Sequence, residues 1–302
     1  MCMVKIFFAL LFSAAAGYAQ DAVLTPDLNL IQEAGAGQFN KQPPYLVRFA
    51  KGGRQLSFVA ARHGKKTENA QTFKLVEEEL KALAPDVVII EGVFTACLEC
   101  PPDCTANSRF VQGAPEQIMC DDLLPRMRKE AANTEDFYAA SLAYDTTPPI
   151  PFIGGEIKNS DLKSVLLQQF TKSQFKRFYV LRALGNKVTG GFSCEPAEVS
   201  GAAAEALKNF NREYSEAETM TAKDLKFFRA NCQNSPMEVQ PKAGGTASQK
   251  VSAASSYIRD QHLAQVIATM LNNHKKVMIV YGAGHYETLY KVLAKMLGEP
   301  VK

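Results

Sequence analysis

Val87-Val88-Ile89-Ile90-Glu91-Gly92 and Val277-Met278-Ile279-Val280-Tyr281-Gly282-Ala283-Gly284-His285 are the two stretches that decide the fold. Each opens with four apolar residues in a row, mostly β-branched, and then turns polar. Such a run is expected of a strand buried on both faces, as in a parallel sheet covered by helices. Around them the spacing changes from strand to helix and back. Phe73, Val76, Leu80 and Leu83 recur at helical intervals, with Thr67 placed to cap and Pro85 to end that helix. Residues 45–50 and 56–61 read as short strands around Lys51-Gly52-Gly53-Arg54, a hairpin turn. Residues 115–130 and 135–144 read as helices, and Ile150 to Ile153 as another short strand.

Residues 160–232 read as mostly helical, broken near Gly190-Gly191 and rich in aromatics such as Phe170, Phe175, Phe178 and Tyr179. Residues 236–251, made largely of Pro, Gly, Ser, Ala and Lys, read as a mobile loop just before Arg259, placed to act as a lid. A helix over 253–272 buries Ile258, Leu263, Val266, Ile267, Met270 and Leu271, and residues 286–297 form the last helix. The expectation is an α/β fold: a mixed, mostly parallel sheet flanked by helices, with a helical insertion over about 160–232 and a Cys-rich loop over 94–120.

With 302 residues, 46% hydrophobic and 22% charged, the chain can bury a full core, and a net charge of +3 makes no case for nucleic acid. Lys5 is the only charge in the first 20 residues, followed by an apolar run from Ile6 to Ala16 and then Gly17-Tyr18-Ala19, with small residues at −3 and −1 of a cut after Ala19. That pattern predicts a secretory signal over 1–19, with a single domain over 20–302, no membrane anchor after cleavage, and a secreted or periplasmic destination. Cleavage would remove Cys2 and leave Cys97, Cys100, Cys104, Cys120, Cys194 and Cys232, an even set suited to disulfides. The expected pairing has the first four stapling the 94–120 loop and Cys194 joined to Cys232.

Chemistry gathers at strand ends. The strand LSFVAAR runs into His63, VVII into Glu91, IPFI into Gly154-Gly155-Glu156, and VMIVYGAG into His285. In open α/β sheets ligands bind beyond the carboxyl ends of the strands. Two imidazoles and one or two carboxylates there suit a divalent metal. Each residue also has a plainer reading, as a cap or loop residue, and Arg259 as a structural ion pair. His262 reads as a packing or surface residue and His274 as a solvated turn residue. The glycines of Gly282-Ala283-Gly284 permit a tight turn and close approach. No dinucleotide fingerprint, phosphate loop, hydrolase elbow or His-Glu-x-x-His zinc helix is present.

Over about residues 45–297 the pattern resembles the TraB/TIKI family, within the wider group that holds erythromycin esterases and haem-binding ChaN proteins. The family's Gly-Thr-x-His reads here as Ala60-Ala61-Arg62-His63, so only the His matches. Glu91 matches a strand-end Glu, Arg259 the Arg of a helical Arg-Asn whose second residue is here Asp260, and Gly282 with His285 the final Gly-x-x-His. The resemblance implies a metal-dependent hydrolase acting on a peptide or small molecule, with His63, Glu91 and His285 holding Mn, Co or Zn. From the residue chemistry, Glu156, whose candidacy rests on its strand-end position and not on the resemblance, or Glu91 if it is not a ligand, is the candidate general base, and Arg259 the candidate holder of a substrate carboxylate or oxyanion. A metal-free esterase-like hydrolase and a haem or small-ligand binder on the same fold are the alternatives.

Overall fold

The structure, a computed structural model, describes residues 23–34, 41–94 and 123–301. The expected signal segment and Cys97, Cys100, Cys104 and Cys120 lie outside them, as does the 115–122 part of the second expected helix. Five strands form one sheet: β1 Tyr45–Lys51, β2 Arg54–Ala61, β3 Val87–Phe94, β4 Phe152–Glu156 and β5 Lys276–Gly282. Their order is β1-β2-β5-β3-β4. β1 and β2 form the expected antiparallel hairpin, and the other pairings are parallel. The chain therefore adopts the expected α/β fold, with β5, its last strand, between β2 and β3.

Alternate residues of the central strands feed two separate layers. Leu56, Phe58, Val277, Ile279 and Ile89 pack with α9 Ala247–Asn273 and α10 Ala283–Leu297. Val59, Val88, Ile90, Met278 and Val280 pack with α1 Ala70–Leu83 and α3 Glu135–Tyr144, while α2 Leu123–Glu130 precedes α3. α1 stops where Ala84 turns left-handed, at φ 46°, just before Pro85. Its N-cap is Asn69 rather than the expected Thr67. Asn69 uses its side chain instead to donate to the Arg62 carbonyl, which Thr72 Oγ1 also reaches at 3.4 Å. These bonds pin the loop that carries His63.

The helical insertion comprises α4 Asn159–Leu166, α5 Lys172–Thr189, α6 Pro196–Glu213, α7 Ala222–Asn231 and α8 Ser235–Glu238. It has its own core around Phe175, Phe210 and Phe228. Gly190 ends α5 as expected. The Cys194–Cys232 disulfide joins the entry to α6 with the end of α7, and it points to a non-reducing compartment. Among the described residues no helix is long and apolar enough to cross a membrane.

Two expected boundaries move. Ile150–Ile153 as a strand becomes Phe152–Glu156, because Pro148, Pro149 and Pro151 occupy its approach and lack N–H donors. The loop over 236–251 shrinks to 239–246. Ser235–Glu238 is helical, and α9 begins at Ala247 under a capping box in which Thr246 and Gln249 satisfy each other's backbone N–H groups. Val251 is fully buried, and Ser252 donates to the Val239 carbonyl at 2.6 Å, so the two ends of this stretch are packed on each other.

Candidate functional site

The sheet register sets Ala61 of β2 opposite Gly282 of β5, Ile90 of β3 opposite Val280, and Phe94 of β3 opposite Glu156 of β4. The carboxyl ends of four adjacent strands thus lie side by side. Glu91 stands within β3, which runs on past the expected end at Ile90 with a register shift between Ile90 and Phe94, and it becomes the centre of a polar cluster. His63 Nε2 lies 3.5 Å from its Oε2, and His285 Nε2 lies 3.5 Å from its Oε1. The Gly282 N–H donates to Oε2 at 2.8 Å, and Arg259 Nη2 stands 3.4 Å from Oε1. Of the four positions expected to meet, His63, Glu91 and His285 meet directly, and Glu156 joins them only through Arg259.

Each imidazole is held from behind. His63 Nδ1 sits 2.5 Å from Glu135 Oε1, and His285 Nδ1 sits 2.5 Å from Asp260 Oδ1. Both carboxylates are buried. The hydrogen bond to Glu135 outweighs burial and, with the charge of Glu91, raises the His63 pKa to about 9. For His285, burial opposes the charge, but Asp260 and Glu91 outweigh it and raise the pKa to about 10. Glu91 is pushed up by its own burial, but His285, His63 and the Gly282 N–H more than offset that and hold it at about 2. A carboxylate so acidic is a poor proton acceptor near neutral pH, so Glu91 is suited to binding charge and not to general base work.

Glu156 is engaged differently. Arg259 Nε donates to its Oε2 at 2.8 Å and Nη2 to its Oε1 at 2.5 Å, a two-point pair. The Tyr281 hydroxyl adds a third bond to Oε1 at 3.2 Å. With both oxygens taken, Glu156 orients Arg259 instead of standing free as the expected base. Burial works against the Arg259 charge, but Glu156 and then Glu91 overcome it and raise its pKa.

Gly282 has an ordinary φ of −54°, so it is required for space and not for a turn. A Cβ there would meet His63 Nε2 at 2.6 Å and Glu91 Oε2 at 3.3 Å. Gly155 is similar, since a Cβ would meet the Tyr281 hydroxyl at 2.5 Å. Gly284 has nothing near it.

Asp260, Glu135 and Asp136 were not foreseen in these roles. Asp260 follows the motif Arg directly, which was the one available signal. Glu135 and Asp136 open α3 and look in sequence like ordinary first-turn acids. Asp136 Oδ1 is buried with no hydrogen-bond partner. Its burial, then the charges of Glu135 and Glu91, push its pKa well up. His63, Glu135 and Asp136 each offer a ligand atom within 4.8 Å of the others. His262 and His274 lie outside the cluster. Both are half-buried, so His274 is less solvated than expected, and burial lowers both pKa values. No protein-family model, curated protein or solved structure matches the chain.

Proposed function

We propose that the chain is an exported hydrolase of the TraB/TIKI kind, acting on a peptide or small-molecule amide or ester, with a divalent ion held by His63, Glu91 and His285. One observation carries this reading: two imidazoles, each fixed through Nδ1 by a buried carboxylate, present Nε2 to the same Glu91 carboxylate. A carboxylate behind each imidazole is the usual support of a metal-binding His. The 3.5 Å spacings exceed those of charge-assisted hydrogen bonds. The two imidazoles reach different oxygens of Glu91, and among the described residues the three side chains whose ligand atoms already lie within 4.8 Å of one another are His63, Glu135 and Asp136, so an ion shared by His63, Glu91 and His285 would require the two rings to draw together on it. Zn, Mn and Co all accept this donor set.

Bound there, such an ion supplies Lewis acidity and a water of lowered pKa. The chain's own part is to hold charge in place. Glu135 and Asp260 fix the two rings. Glu156 and Tyr281 fix Arg259, whose remaining face is available to a carbonyl oxygen that gains charge.

The metal-free reading also has an observation behind it, the raised pKa values of both imidazoles, which let them remain cationic between carboxylates. Both Nε2 atoms face Glu91 and not an open apolar slot, so the haem alternative gains no support. The deciding experiment loads the purified protein with Zn, Mn or Co, dialyses it, and measures metal content and hydrolysis of a peptide and ester panel. One bound ion, lost in His63→Ala and His285→Ala, with chelator-sensitive hydrolysis, is expected. Hydrolysis indifferent to chelator would transfer the reaction to the metal-free reading. Equal metal content in wild type and both variants would remove the ion from this site.

A further inference from the structure

A cavity of about 410 Å³ adjoins the cluster and shares Glu156 and Arg259 with it. That volume is within the range of small-molecule pockets. Its far wall is the helical insertion, which no expected role had used. Phe175, Tyr179 and Arg182 come from α5, Asn209 and Glu213 from α6, and Tyr214 follows α6. The aromatic part is packed before any ligand arrives. Phe175 and Tyr214 meet edge to face at 4.9 Å, and Tyr179 and Tyr214 at 5.8 Å. Phe175 and Tyr214 are buried, while Tyr179 is only partly covered and offers ring surface. Around these rings stand donors and acceptors of both kinds. Arg182 is exposed, and among the described residues it has no carboxylate at ion-pair distance.

Rings that are already locked lose little freedom on binding, and they favour a partner ring by offset or edge-to-face contact. The mixed polar rim matches an amide or ester, which both donates and accepts or only accepts. We propose that this cavity is the specificity pocket of the protein and selects an aromatic group carried on an amide or ester. Its place beside the reacting group rests on the hydrolase reading above, but its occupancy does not. The disulfide-clamped insertion then sets which substrate is accepted, and the strand-end cluster sets what is done to it.

The chain contains no Trp, so Tyr179→Trp places a sole indole in the pocket wall as a fluorescent reporter. The probes are N-acetyl-phenylalanine amide, N-acetyl-leucine amide and N-acetyl-alanine amide. Binding to the wild type is followed in parallel by ligand-observed NMR, which needs no variant. Saturable binding of the phenylalanine probe is expected at roughly millimolar concentration, with the leucine probe about tenfold weaker and the alanine probe about a hundredfold weaker. Ala183→Phe, which fills the cavity from α5, is expected to abolish binding while leaving the melting curve cooperative. Equal affinity for the alanine and phenylalanine probes, or no saturable binding of any probe to the wild type, would overturn the proposal. So would undiminished phenylalanine binding by folded Ala183→Phe. The same titration on His63→Ala separates the two readings. Ring-selective binding there, with no hydrolysis by the wild type, would sink the hydrolase and leave the pocket standing.

Discussion

His63 and His285 make the same kind of contact with different oxygens of Glu91, yet they live in different surroundings. Both place Nδ1 2.5 Å from a carboxylate and Nε2 3.5 Å from a Glu91 oxygen. The His63 side chain is 57% exposed, on a loop after β2, while that of His285 is 16% exposed, in the first turn of α10 with the Tyr281 ring edge-on at 5.2 Å. Equal distances do not make equal interactions, since water screens one pair and hardly reaches the other. His285 is therefore the fixed side of the site. His63 is its solvent-facing side, from which a substrate of the proposed hydrolase would approach.

The largest expected effect falls on the residue the two halves share. Glu91→Gln keeps the shape and removes the charge that both imidazoles face. Hydrolysis is expected to fall by about 10²–10⁴-fold, read from initial rates at saturating metal. Next come the two supporting carboxylates, where the comparison can be broken outright. Asp260→Ala strands a buried imidazolium and should cost about 3–5 kcal/mol in urea unfolding. Glu135→Ala leaves a ring that water can reach and should cost about 1 kcal/mol or less. Equal losses would mean that exposure does not separate the two sides.

The sequence made one half of this arrangement readable and hid the other. Val87–Ile90 and Val277–Val280 are continuous apolar runs, so strands buried on both faces follow from composition alone, and with them the placing of Glu91 and His285 near strand ends. His63 follows the same rule after LSFVAAR. Asp260 and Glu135 gave no such sign, because a helical acid becomes buried only through what packs on it. Here that is α10 against α9 for one and the β2–α1 loop against α3 for the other. The start of α9 was hidden for a related reason. Ala-Ser-Gln-Lys-Val-Ser-Ala-Ala-Ser-Ser has no apolar stripe, and its helix rests on the Thr246/Gln249 cap and on contacts distant in sequence. The aromatic residues of 160–232 were visible, but that four of them would line a cavity beside Arg259 depended on the fold of the insertion.

The two imidazoles also set a pH dependence whose sign tells whether an ion is bound. In chelated protein His63 is raised from 6.5 to about 9 and His285 from 6.5 to about 10. Such groups stabilise fully below 6.5, and their contribution is lost as pH rises through 9 and 10. Glu91, lowered from 4.5 to about 2, stabilises fully above 4.5 and loses its contribution as pH falls toward 2. The melting temperature of metal-free protein is thus expected to be level between about 4.5 and 6.5 and to decline on both sides by several degrees. An ion requires neutral imidazoles, so the increment it adds should grow with pH between 6.5 and 9. Thermal melts with and without added metal across this range check both slopes. Screening makes His63 the smaller contributor, so His63→Ala should flatten the alkaline decline less than His285→Ala.

Two glycines two residues apart, Gly282 and Gly284, give the smallest test. A methyl at Gly282 meets His63 Nε2 at 2.6 Å and Glu91 Oε2 at 3.3 Å, whereas a methyl at Gly284 meets nothing. If the solvent-facing His63 yields, Gly282→Ala should push that ring outward and leave the core undisturbed. Metal affinity or activity is then expected to drop about tenfold, with unfolding free energy changed by less than about 1 kcal/mol. A large loss of stability would mean that His63 is as rigid as His285. Gly284→Ala, inside the helix, should instead stabilise by roughly 0.5–1 kcal/mol through the unfolded chain and leave metal binding as it is. The pair isolates the methyl's position as the cause, because both changes have the same chemistry and only one reaches the imidazole.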